Sequence, residues 1–196
     1  MEIHDKGGFA PAPEIASHYH AAGLDENAVL WGLKAMDLYM AAHGNQEAVK
    51  WYEKILEWTR SQNCETREYH LFEAMKRYEI ILSVTGNTGR RKTILDKLLA
   101  MTAEPGFTDQ LGWVLKEMGG FSYISGSPEE AETLYRKGLK EAITAGNPQL
   151  ESDILLRLGE IASAGGRKAD AADLYEKALK AAERAGSPLL RASVLT

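Results

Sequence analysis

The sequence predicts an all-α chain, a right-handed superhelical array of antiparallel helical hairpins. Three observations predict it. From Pro13 onward, apolar residues recur three and four apart in segments rich in Ala, Leu, Glu and Lys. Turn signals break these segments at helix-length intervals. The chain also repeats itself at a period of 40 residues.

The elements follow in order. Residues 1–12, with Gly7-Gly8 and Pro11, read as a flexible leader with neither the basic flank nor the apolar stretch of a signal peptide. Helices are then expected between turns at Gly23, His43-Gly44, Ser61–Cys64, Gly86-Asn87, Pro105-Gly106, Gly126-Ser127-Pro128, Gly146-Asn147-Pro148, Gly165-Gly166 and Gly186-Ser187-Pro188. That makes roughly nine helices of three to five turns, and no segment alternates as a strand does. Residues 13–196 are expected to form a single array with units at about 29–64, 65–106, 107–148, 149–188 and a partial unit at 189–196.

The repeat is explicit in the second half. Residues 126–148 and 166–188 are identical at eleven of 23 positions, too many for shared helical composition alone. Ala131 falls on Ala171, Tyr135 on Tyr175, Leu139 on Leu179, and Gly119 on Gly159. One period earlier, Gly86 falls on Gly126 and Gly106 on Gly146. At an offset of 123, Ala48, Tyr52, Lys54 and Leu56 fall on Ala171, Tyr175, Lys177 and Leu179. Small residues at Gly119, Gly159, Ala131 and Ala171 let two helices approach, and Leu134, Tyr135, Leu174 and Tyr175 fill the space around them.

This spacing resembles the tetratricopeptide repeat (TPR): Leu158-Gly159 in a first helix, then Ala171, Tyr175 and Ala178 in a second. The resemblance is closest over residues 112–188 and looser over 29–64 and 65–106. Two departures stand out. Arg91 and Leu95 occupy the small and aromatic positions of the second unit, and Gly32 replaces a large residue in the first. Residues 15–56 also resemble the segment that leads into repeat arrays in large bacterial signalling ATPases, the adenylate-cyclase-linked and LuxR-type regulators, through His18-Tyr19, Ala22-Gly23 and Ala28.

The TPR resemblance implies a non-catalytic scaffold that binds a protein or peptide on its concave face. The residues it places there are Glu73, Lys76, Trp113, Lys116, Tyr123, Asp153, Leu156 and Glu160. Trp113 can serve as an aromatic anchor for such a partner or pack against its neighbouring hairpin. The alternatives are a sensor segment of a larger signalling ATPase or nucleotide cyclase, and an oligomerisation module.

Composition narrows the classes further. The net charge is −5 and no Lys/Arg block runs to five residues, which excludes the basic footprint of a nucleic-acid binder. No apolar run reaches membrane-spanning length. The lone Cys64 points to a reducing, cytoplasmic setting. Lys92-Thr93 after a Gly-rich turn imitates a phosphate loop, but Arg91 stands where that loop needs glycine. No cofactor or metal is expected, because His18 and His20 point to different faces and the remaining histidines lack ligand spacing. The C-terminal segment reads as the opening of a further helix, with Leu190 on Leu150 and Val194 on Ile154. On that reading the chain is a piece of a longer array, and homo-oligomers could form through this edge.

Overall fold

The computed structural model describes residues 11–61 and 66–186. Residues 1–10, 62–65 and 187–196, with Cys64 and the expected further helix, lie outside the described residues. Within them the fold is all-α. The helices are α1 (Ala12–Ala21), α2 (Asp25–Ala41), α3 (Asn45–Ser61), α4 (Arg67–Thr85), α5 (Thr88–Met101), α6 (Leu111–Ile124), α7 (Pro128–Thr144), α8 (Pro148–Ala164) and α9 (Lys168–Arg184), with a 3-10 turn at Thr108–Gln110. The chain divides into two compact units, Met1–Ile94 and Leu95–Thr196.

In the unit from Leu95, α6 pairs with α7 and α8 with α9, and α7 also packs on α8. The helix starts follow from local chemistry. Pro128 and Pro148 stand at the first helical positions, where no amide hydrogen is needed. The Asn147 side chain caps α8 by accepting from the Leu150 amide at 3.0 Å. Each hairpin turn closes on a glycine at positive φ, Gly126 at 84° and Gly166 at 75°. The core joins Ala131, Tyr135 and Ala142 of α7 to Leu150, Ile154, Leu158 and Ile161 of α8. Tyr135 is the link. Its ring lies on Gly119 of its own hairpin, so close that a Cβ there would sit 2.8 Å from the ring. The same holds for Gly159 under Tyr175. In the same hairpin as Gly159 and Tyr175, Ser152 donates to the Ala178 carbonyl at 2.9 Å and locks α8 onto α9.

In the unit ending at Ile94, α1 packs on α2, α2 on α3, and both α2 and α3 on α4. Tyr52, equivalent to Tyr135, stacks on Tyr78 of α4 with ring centroids 4.1 Å apart. Burial, with Tyr78 beside it, pushes the Tyr52 hydroxyl up to about 12. The Gly32 departure has a physical reason. Its counterpart is Leu115, and Ile55 stands where Gly138 stands. Gly138 lies against Leu115, and Gly32 lies against Ile55, its would-be Cβ 3.0 Å from Ile55 Cγ1. Large and small have exchanged places across the helix pair, which conserves the volume between them.

Two further substitutions follow the same register. Glu79 stands at the position of Gly119, and Arg91 at that of Ala131. Arg91 Nε donates to Glu79 Oε1 at 2.6 Å, with the two side chains 6% and 0% exposed. Where the later hairpin has two small residues, this one has a buried ion pair. In the first hairpin, the turn residue equivalent to Gly126 is His43, held at φ 58°.

Candidate functional site

The first helices of the last two hairpins, α6 and α8, share a face that the core does not consume. Lys116 and Glu117 of α6 form an ion pair at 2.7 Å. Arg157 and Glu160 of α8 pair at 3.0 Å, one turn apart. Asp153 stands between the two pairs and is half-buried. Burial pushes its carboxyl up, Lys116 and Arg157 pull it down, and Glu117 pushes it up, for a net upward shift. Leu156 lies on the same face, also half-buried. Trp113 is half-buried and packs against the α7–α8 core cluster, so part of its ring is structural and part remains on the surface.

Tyr123 lies two turns beyond Lys116, at the end of α6. It lines a cleft of about 500 Å³ with Pro128, Glu129, Glu132, Ile161 and Arg167. It is 42% exposed, and its neighbour Ile124 is 69% exposed. One wall is tied by charge: Glu132 accepts from Arg167 Nη2 and Arg136 Nη2, both at 2.7 Å. The hydrogen bonds from Arg167 and Arg136 hold its carboxyl down at about 2.

Glu73 and Lys76 belong to α4, in the other unit, and are already engaged there. Glu73 accepts from Arg77 at 2.7 Å and from Lys76 at 3.3 Å. Arg77 reaches across to α2 and grips Asp37 with both ends of its guanidinium, at 2.7 and 3.1 Å. Burial pushes the Glu73 carboxyl upward, but the hydrogen bonds from Arg77 and the charge of Lys76 outweigh it and the net shift is down. Exposed Ile80 and Val84 continue this helix.

The structure therefore brings Lys116, Asp153, Leu156 and Glu160 together, sets Trp113 partly into the core, and places Tyr123 in a cleft at the end of α6. Sequence reasoning missed Asp37, Arg77, Glu117 and Arg157. The signals were present. Arg77 is four residues from Glu73, and Arg157 three from Glu160. Asp37 lies one period of 40 before Arg77. Glu26 and Thr66, also 40 apart, are joined in the same way at 2.9 Å.

Comparison with known proteins adds the class. The chain resembles BtubC (BKLC) from P. vanneervenii with a TM-score of 0.73 and 15% identity, over 89% of this chain and 72% of that one. It resembles a signal transduction ATPase with numerous domains and a tetratricopeptide repeat sensor from Pyrococcus horikoshii, with a TM-score of 0.66 and 20% identity. That match spans 87% of this chain but only 29% of the ATPase. A Podospora anserina protein described as a kinesin light chain with nearly identical TPR-like repeats gives a TM-score of 0.59 and 15% identity, over 89% of this chain and 94% of that one. The fold is that of the tetratricopeptide-repeat proteins. No protein-family model matches the chain, and no curated protein does. Among the described residues, no helix is long and apolar enough to cross a membrane.

Proposed function

We propose that the chain is a non-catalytic scaffold that binds a protein or peptide on the face formed by α6 and α8. One observation carries this reading. That face keeps Lys116, Glu117, Asp153, Arg157 and Glu160 half-buried or exposed beside an open cleft at Tyr123, and none of these five is a member of the hydrophobic core. A face of half-desolvated charges next to an aromatic-lined hollow suits peptide recognition. The test is selection of a random peptide library on the full chain. Enriched peptides are expected to lose binding to Tyr123→Ala and Leu156→Ala variants that keep their helicity by circular dichroism. A library that enriches nothing, or peptides indifferent to both variants, would overturn the reading.

A second reading has its own support. Likeness to an ATPase that carries a tetratricopeptide repeat sensor suits a regulatory segment of a larger protein. A thermal shift with a nucleotide or metabolite panel, in the absence of any peptide binding, would favour it.

A further inference from the structure

The α6–α8 face is unevenly charged. It holds three carboxylates, Glu117, Asp153 and Glu160, against two cations, Lys116 and Arg157. Each cation is held by a carboxylate neighbour on its own helix, Lys116 by Glu117 and Arg157 by Glu160. Asp153 makes no hydrogen bond or ion pair among the described residues, although it is half-buried. Partly desolvating a carboxylate without a direct partner is unfavourable, and an incoming cation relieves it. We infer that this face takes a basic, extended peptide segment, with a Lys or Arg of the partner docked on Asp153. This rests on the reading of the face as a peptide-binding surface.

Charge complementarity selects the occupant. An acidic segment would bring a fourth carboxylate against Glu117, Asp153 and Glu160, and would have to break an existing pair to find a cation. A basic segment needs no such rearrangement, and the chain's net charge of −5 draws it in. Helix geometry adds a second anchor. Asp153, Glu160 and Ala164 are seven and eleven residues apart and so share one stripe of α8, and Ala164 lines the Tyr123 cleft. Eleven residues of helix advance about 16 Å. An extended peptide covers that distance in about five residues. The partner segment thus carries a basic residue and, about five positions away, an apolar side chain that enters between Tyr123, Pro128 and Ile161.

The experiment uses peptides enriched from the random library on the full chain. Enriched sequences should be rich in Lys or Arg, with an apolar residue about four to six positions from one of them. By fluorescence anisotropy, Asp153→Asn should weaken the best peptide at least tenfold. A citrulline in place of the docking Arg should do the same on the wild-type chain, a readout independent of how the variant folds. Acidic or neutral peptides that still need Tyr123 would overturn this inference and leave the scaffold reading intact. So would full affinity for the citrulline peptide. Absence of any enriched peptide would overturn both.

Discussion

The contact of α6 with α7 and the contact of α4 with the first turns of α5 occupy one register and use opposite chemistry. The first brings Gly119 under the Tyr135 ring and keeps Ala131 at the neighbouring position. The second puts Glu79 and Arg91 at those two positions and buries them as an ion pair at 2.6 Å. Both satisfy the demand that two helices meet without a void. They differ in what happens when one partner is lost. An apolar contact degrades by the volume removed, whereas a buried pair leaves a charge behind. Arg91→Ala or Glu79→Ala alone is therefore expected to cost about 3–5 kcal/mol in urea denaturation, and replacing both by Leu and Met to be neutral or stabilising by about 1–4 kcal/mol. If the double variant loses as much as the two single variants summed, the pair is not acting as a unit.

The glycine–tyrosine contact offers the next largest effect and an internal control. A Cβ on Gly119 would meet a ring that is only 4% exposed and enclosed by Leu150, Ile154 and Leu158. A Cβ on Gly159 would meet the Tyr175 ring more closely still, but that ring is half-exposed and has solvent to move into. Overpacking costs depend on whether the neighbour can yield. Gly119→Ala should lose about 1–3 kcal/mol. Gly159→Ala should lose less, because its ring can move aside, while both variants gain the same roughly 0.5–1 kcal/mol from replacing a mid-helix glycine. The reverse order in thermal melts would mean that overlap distance, not freedom to move, decides the cost.

These contrasts mark how much was legible in the sequence. The hairpins, their turns and the close helix approach followed from a period of 40 and from small residues at fixed places in it. Gly119, Tyr135 and Ala131 could be read because their roles depend on size, and size is printed in the residue type. Arg91 could be seen as a departure but not explained, since its partner Glu79 lies twelve positions away on another helix and looks like an ordinary surface glutamate. The candidate face was half legible. Positions on α6 and α8 followed from register, which is why Lys116, Asp153 and Glu160 fell together. Which charges pair with which depends on rotamers and on neighbours a period away, as Asp37 and Arg77 show. Trp113 was ambiguous for a sound reason, because a half-buried ring is both core and surface.

The turns extend the comparison to backbone. Gly126 and Gly166 take positive φ without a Cβ to obstruct them, while His43 takes the same conformation at 58° and is exposed, on an otherwise identical hydrogen-bonding pattern. A side chain in that region costs about 1–2 kcal/mol. Glycine also loses more freedom on folding, which returns part of the gain. His43→Gly should therefore stabilise the chain by about 0.5–1 kcal/mol in chemical denaturation. No gain would show that the His43 side chain makes a contribution that offsets its backbone strain.

The smallest effect contrasts an exposed pairing with the buried one. Glu132 bridges Arg136 and Arg167 at the rim of the Tyr123 cleft, and their hydrogen bonds hold its carboxyl at about 2, down from 4.5. A depressed folded-state value contributes stability above the unfolded value, and the contribution fades as pH falls through the folded one. The difference between wild type and Glu132→Gln should thus be present at pH 7 and shrink between about pH 4.5 and pH 2. Water screens this rim, so the difference at neutral pH should be about 1 kcal/mol or less, and it should fall further in high salt. Arg91 and Glu79, shielded from solvent, should show no comparable salt dependence in the same denaturation series. A salt response of equal size at both sites would remove the distinction between buried and exposed pairing in this fold.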